Sequence, residues 1–161
     1  MKIAVVSDSH DNLEKIEKFV NLVNEENVSL VIHCGDFISP FSVKVFTEKL
    51  KCDFVGVFGN NDGEIQGILK VSGGTIAKPP AVKVVDNLKI VFMHEPLFVE
   101  QIAKSGDYDY VIYGHTHRVD VRTVGRARVL NPGELCGYLT GKSTYALIDT
   151  DEGWIEIRVV E

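Results

Sequence analysis

Cysteine is scarce. The chain has three in 161 residues, Cys34, Cys52 and Cys136, with no C-x-x-C pair. An odd and scattered set is no disulfide framework. It reads as reduced thiols of a cytoplasmic protein, each serving as a small apolar residue. Long hydrophobic runs are also missing, and none approaches the ~20 residues of a membrane span. Asp8 places a carboxylate where a secretory signal would still be apolar, so secretion is not expected. Basic residues are outnumbered, 17 Lys and Arg against 23 Asp and Glu, for a net charge of −6. That excludes the basic surface which nonspecific nucleic-acid or membrane binding requires. A phosphate substrate stays open if a metal supplies the local positive charge. There is no repeat, low-complexity tract or linker. With 45% hydrophobic and 25% charged residues, the chain suits one domain, 1–161. Such a domain buries about 70% of its unfolded surface without staples.

The first half alternates between short apolar runs and helical patterns. Runs at 2–7, 30–33 and 54–58 read as strands. Residues 12–27 place Leu13, Ile16, Val20 and Val23 on one helical face, with Asp11 or Asn12 as cap, and 41–50 reads as a second helix. Strand–helix–strand order implies parallel pairing with right-handed crossovers. After residue 75 the pattern changes. Runs at 82–85 and 88–93 flank the two-residue turn Asp86-Asn87, and 97–104 suits a short helix. Residues 110–113 form another apolar run. Alternating stretches at 118–124 and 126–130 surround Gly125, and 143–148 pairs with 154–160. This predicts a mixed α/β domain with an early parallel portion and a later, largely antiparallel one.

The chemistry gathers at strand ends. Asp8-x-His10 follows the first run, Gly35-Asp36 the second and Gly59-Asn60-Asn61-Asp62 the third. His94 follows the run at 88–93, and Gly114-His115-Thr116-His117 follows that at 110–113. Ligands of open parallel sheets bind outside the carboxyl ends of the strands. Carboxylate, amide and imidazole are donors for borderline and hard divalent metals. Asp8 and His10 stand two apart and can clamp one ion from the same side, and His115 and His117 share that spacing. Seven ligands exceed what one zinc takes and suit two ions sharing a bridge, as in phosphatases and nucleases.

Taken singly, several of these pieces have plainer readings. Asp-x-His after a strand is a capped turn, Gly-Asp is a turn, and Gly-Asn-Asn-Asp is a polar loop. Only Gly-His-Thr-His points to a metal by itself; the ordered set carries the dinuclear reading. His33 lies inside its run and is expected in the core or supporting a ligand. Residues 137–143, GYLTGKS, fall one short of the phosphate-loop spacing and precede a strand instead of a helix. Ser72-Gly73-Gly74 is a turn.

The ordered set Asp8-x-His10, Gly35-Asp36, Gly59-Asn60-x-Asp62, His94 and Gly114-His115-Thr116-His117 resembles the calcineurin-like metallophosphoesterase superfamily. The short length and the Asn131-Pro132-Gly133 turn resemble its small bacterial and archaeal phosphodiesterase branch. The resemblance implies a four-layer αββα sandwich of two mixed sheets flanked by helices. It implies Asp8, His10, Asp36 and His117 at one metal, with Asp36 bridging to a second held by Asn60, His94 and His115. Asp36, Asn60, Asn61 and His94 would be the catalytic set. A hydroxide shared by the ions would attack phosphorus in line with the leaving oxygen. The implied cofactors are two divalent ions, Mn2+ or Ni2+ first, with Fe, Co or Zn also compatible. The implied partner is a small phosphodiester, and a homodimer is compatible with the resemblance.

Three positions depart from the family pattern. Asn61 stands where the family often has the histidine that protonates the leaving group. An amide donates a hydrogen bond but yields no proton near neutral pH, so diesters or activated aryl esters should be preferred over alkyl monoesters. Glu95 follows His94 in place of glycine, and Glu134 follows Asn131-Pro132-Gly133 in place of serine. No insertion is long enough for a cap domain, which implies an open site. Two other functions compete. A protein-binding scaffold, like the retromer subunit of this fold, tends to erode the ligands that this sequence keeps. A nuclease or phosphomonoesterase is the other. Arg118, Arg122, Arg126 and Arg128 form the sole local basic cluster, and their alternation suits the solvent face of a hairpin.

Overall fold

The computed structural model describes residues 1–161. One sheet has six strands: β1 (Lys2–Val6), β2 (Leu30–His33), β3 (Asp53–Val57), β4 (Ile76–Ala77), β10 (Thr144–Asp149) and β11 (Trp154–Val159). Their order is β11-β10-β1-β2-β3-β4. The second sheet comprises β5 (Ala81–Val85), β6 (Leu88–Phe92), β7 (Tyr110–Ile112), β8 (Val119–Val124) and β9 (Ala127–Pro132), in the order β5-β6-β7-β9-β8. Helices α1 (Leu13–Glu25), α2 (Pro40–Lys49), α3 (Ile65–Ser72) and α4 (Val99–Lys104) complete the chain.

Side-chain alternation along the strands builds the layers. In β1, Ala4 and Val6 face the helices, whereas Ile3 and Val5 face the other sheet. In β6, Ile90 and Phe92 face inward across the sheets, while Val91 packs outward toward Val99 and Ala103 of α4. Both faces of these strands are covered, so they read as unbroken apolar runs. Three apolar clusters therefore separate four layers. One lies under the first three helices, one between the sheets and one under α4. This is the expected αββα arrangement of two mixed sheets.

Several local expectations need correction. The later half is largely antiparallel, in β5–β6, β8–β9 and β10–β11, but not throughout: β6, β7 and β9 are parallel neighbours. The last hairpin, β10–β11, leaves that half and pairs antiparallel with β1 of the first sheet. Local alternation specifies faces and not partners, so it cannot distinguish these pairings. Helix α3 was not expected. The Ser72-Gly73-Gly74 turn is its end, with Gly73 left-handed at φ 60°. Leu13 is exposed, and Phe19 takes its place on the buried face with Ile16, Val20 and Val23. Cys34 and Cys136 are buried as expected, whereas Cys52 is only partly so.

Candidate metal centre

The turns that follow β1, β2, β3, β6 and β7 converge at one edge of the sandwich. Their backbones are interlocked. The Asp8 N–H donates to the Gly35 carbonyl (3.0 Å), and the His10 N–H donates to the Asp36 carbonyl (3.1 Å). The His115 N–H donates to Asp8 Oδ2 (3.0 Å). Asp8, His10, Asp36, His115 and His117 all have positive φ, between 42° and 66°. Non-glycine residues adopt that region at a cost of about 1–3 kcal/mol each, and such strain gathers at functional sites. Close approach needs the glycines: a Cβ on Gly35 would stand 2.8 Å from both Gly59 N and His94 Nδ1.

Asp62 holds two of the turns together. Its buried carboxylate accepts from the N–H groups of Asp36 (3.1 Å), Ile38 (2.7 Å) and Gly59 (2.7 Å). Burial raises its pKa, against the lowering effect of those bonds. Asn131 does similar work under the Gly-His-Thr-His turn. Its amide donates to the Gly114 carbonyl (2.9 Å) and Thr116 Oγ1 (3.0 Å).

The structure brings all seven expected ligands together. Asp8 Oδ1 lies 3.4 Å from His117 Nε2 and 3.8 Å from His10 Nε2. Asp36 Oδ2 lies 3.4 Å from His10 Nε2 and also 3.4 Å from His94 Nε2. His115 Nδ1 is 3.0 Å from Asn60 Oδ1 and 3.3 Å from His94 Nε2. Donors about 2.1 Å from a common ion, at tetrahedral or octahedral angles, stand about 3.0–3.4 Å apart. Most of these distances are those of donors around a divalent ion, and Asp36 is common to the His10 and His94 sides of the cluster.

Unpaired polar atoms support that fit. Asp8 Oδ1 and His10 Nε2 are buried without any hydrogen-bond partner, an arrangement that a cation would resolve. His94 Nδ1 donates to the Cys34 carbonyl (2.7 Å), which leaves Nε2 as a lone-pair donor. That Nε2 faces Asn60 Oδ1, another acceptor, at 2.8 Å. Burial disfavours a charged His94, but Asp36 and Asp8 outweigh burial and raise its pKa, so the position attracts positive charge. Burial also opposes ionisation of Asp36. Its contacts with His94 and Asn61 prevail and hold it well below the usual carboxylate range.

Asn61 is turned onto Asp36. Its N–H donates to Oδ1 (2.8 Å) and its side-chain amide to Oδ2 (2.7 Å). His33 is fully buried, stacked on Phe37 at 3.7 Å, and shares a 3.0 Å hydrogen bond with Ser9 Oγ. Burial first, then the charge of His94, pushes its pKa well down. It is a core residue supporting the ligand loops.

The residue that sequence reasoning undervalued is Glu134. It is fully buried, and His117 Nδ1 donates to its Oε2 at 2.5 Å. The Leu139 and Thr140 N–H groups, the Thr140 hydroxyl and the Cys136 thiol also donate to it. Burial opposes its charge, yet His117 and Thr140 outweigh burial and bring its pKa down to about 2. A buried carboxylate behind a ligand histidine fixes the tautomer that leaves Nε2 free. The signal available was a charged residue where the family resemblance implies serine. The 137–143 segment that mimics a phosphate loop is the loop that closes over this carboxylate.

Residues 1–153 match the family model of the calcineurin-like phosphoesterase superfamily domain. The chain belongs to this superfamily. Among calcineurin-like proteins, it is 44% identical over 158 residues to phosphodiesterase MJ0936 of Methanocaldococcus jannaschii, covering 94% of this chain and 95% of the other. A solved archaeal phosphodiesterase superposes with TM-score 0.91 and 40% identity over 99% of both chains. Zinc-complexed Vps29 of Entamoeba histolytica shares the fold at TM-score 0.72 and 19% identity, over 99% of this chain and 98% of that one. As a member of this superfamily the protein is an enzyme of the phosphoesterase class, whose ions are divalent metals. No helix is long and apolar enough to cross a membrane.

Proposed function

We propose that the protein is a dinuclear, metal-dependent phosphodiesterase acting on small phosphodiesters. The observation that carries this reading is Asp36 Oδ2, equidistant at 3.4 Å from His10 Nε2 and His94 Nε2. Asp8, His10, Asp36 and His117 would hold one ion; Asp36, Asn60, His94 and His115 would hold the other. When bound, the ions supply a water nucleophile that is active near neutral pH and positive charge for the phosphoryl oxygens, with Mn2+ or Ni2+ the favoured pair. Asp36 fixes the spacing between the two halves. Glu134 and the Cys34 carbonyl aim the imidazoles of His117 and His94. Asn61 donates hydrogen bonds but no proton, so leaving groups that depart as anions are favoured, and with them diesters and aryl esters.

The named activity of the 44% identical relative supports a diester substrate. Small substrates are favoured over long nucleic acid because the chain is acidic overall and two arginines of its one basic cluster, Arg122 and Arg126, are already ion-paired. Arg122 is bonded to Glu100 and, at 2.9 Å, to Asp120, and Arg126 to Asp109 at 3.1 Å. Three free thiols accord with a cytoplasmic location.

The test is to strip the protein of metal and measure bis-p-nitrophenyl phosphate hydrolysis as each divalent ion is restored. Activity should return with Mn2+ or Ni2+ and fall roughly 10^3-fold in Asp36→Ala. Full diesterase activity in Asp36→Ala would overturn the reading.

A further inference from the structure

Beside the candidate metal centre lies a cavity of about 410 Å3 that no step above employs. It shares Asn60 and His94 with the ligand cluster, so it adjoins that side of the candidate centre. Its walls are apolar: Phe58, Met93, Leu97, Phe98 and Ile102, closed by two prolines. Neither lysine nor arginine lines it, and Glu95 is the one acid. A second phosphate or any other anion therefore finds no cation there and meets a carboxylate of like sign.

The Leu97-Phe98 pair is the unusual part. Both side chains are largely exposed, 60% and 71%, at a position where the fold has no use for them. Phe98 is also held at φ 56°, immediately ahead of α4. A bulky residue in the left-handed region costs free energy that glycine would not. The arrangement exposes an aromatic ring, at a conformational cost, on the rim of an apolar cavity next to a phosphoryl site. Ligand pockets have this volume range and this mixture of apolar walls with a few polar groups at one end.

We propose that this cavity is a subsite for an uncharged aromatic substituent of the phosphoester, gripped by Phe98 and Leu97. Glu95 selects against anionic substituents. The inference rests on the phosphodiesterase reading for the placement of the phosphoryl group, and it adds the class of ester that the site takes. An apolar lining that includes an exposed phenyl ring favours a planar group through offset or edge-on aromatic contact with Phe98.

Binding of phenylphosphonate and methylphosphonate to the Mn2+-loaded protein, measured by calorimetry, tests the subsite without turnover. Phenylphosphonate should bind about tenfold more tightly. That ratio should fall below about threefold in both Phe98→Ala and Phe98→Gly. The glycine variant relieves the left-handed strain and should keep the wild-type Tm, so a lost preference there is not a folding defect. In Glu95→Gln, 4-carboxyphenylphosphonate should gain about fivefold relative to phenylphosphonate. Equal affinities for phenyl and methyl compounds, or an unchanged ratio in Phe98→Gly, would overturn the subsite. Bis-p-nitrophenyl phosphate hydrolysis is assayed on the same preparation. Its absence, with a tenfold phenyl preference intact, would remove the phosphodiesterase reading and leave the subsite standing.

Discussion

At the scale of single residues, the centre depends on side chains that aim the ligands as much as on the ligands. Glu134 concentrates five donors on one buried carboxylate, and His117 is one of them. Glu134→Gln removes the charge and leaves one acceptor oxygen for two sets of donors, so an amide N–H must face either His117 Nδ1 or the Leu139 and Thr140 N–H groups. Metal titration calorimetry should show affinity weakened about 10–100-fold, the usual effect of losing such a partner. Unaltered affinity would reduce Glu134 to a packing residue. Asn61 offers the complementary test. Asn61→His introduces a group that can yield a proton near neutral pH. The ratio of phosphomonoester to diester hydrolysis should rise about tenfold or more, and an unchanged ratio would overturn the role proposed for Asn61. Both positions stood out in the sequence as departures from a family pattern. Their partners did not, because Glu134 meets His117 across 17 residues and Asn61 meets Asp36 across 25.

At the scale of elements, the strand-end turns act as one unit. The β2 and β3 turns share Asp62, whose three backbone bonds leave no slack between Asp36 and Gly59. Asp62→Ala strands three N–H groups in a buried place. We expect a loss of about 3–5 kcal/mol, or roughly 10 °C in Tm, together with weaker metal binding. Retention of full metal affinity in a destabilised variant would separate the turn's structural role from the site. The strands other than the two-residue β4, the helices α1, α2 and α4, and the Asp86-Asn87 turn were legible because each has a local period or turn chemistry. Helix α3 was not. Eight residues with Gly67 inside and Gly63, Gly73 and Gly74 flanking present too little periodic signal, and the helix is held by packing of Ile68 against the first sheet's cluster.

At the scale of the whole molecule, metal and fold are linked. A centre assembled from five turns does not exist in the unfolded chain, so bound ions stabilise the native state by mass action. At a free metal concentration about 100 times Kd, the gain is about 2.7 kcal/mol, or roughly 5–10 °C in Tm. Thermal scans with Mn2+ and with a chelator measure it directly. Coincident Tm values would mean that the native site holds no ion.

The sequence by itself determined the chemistry. Donor types, their order at strand ends, the unbroken apolar runs of strands such as β1 and β2 that are covered on both faces, and the acidic balance are all local properties of the chain. Tertiary structure decided what meets what. The final hairpin joins the first sheet and not its own half, and this brings β10 against β1. Glu134 comes behind His117, and Phe98 and Leu97 line a cavity next to His94. These outcomes depend on strand partnership and crossover geometry. Both are chosen by the total burial of three apolar layers, which no single stretch of sequence encodes.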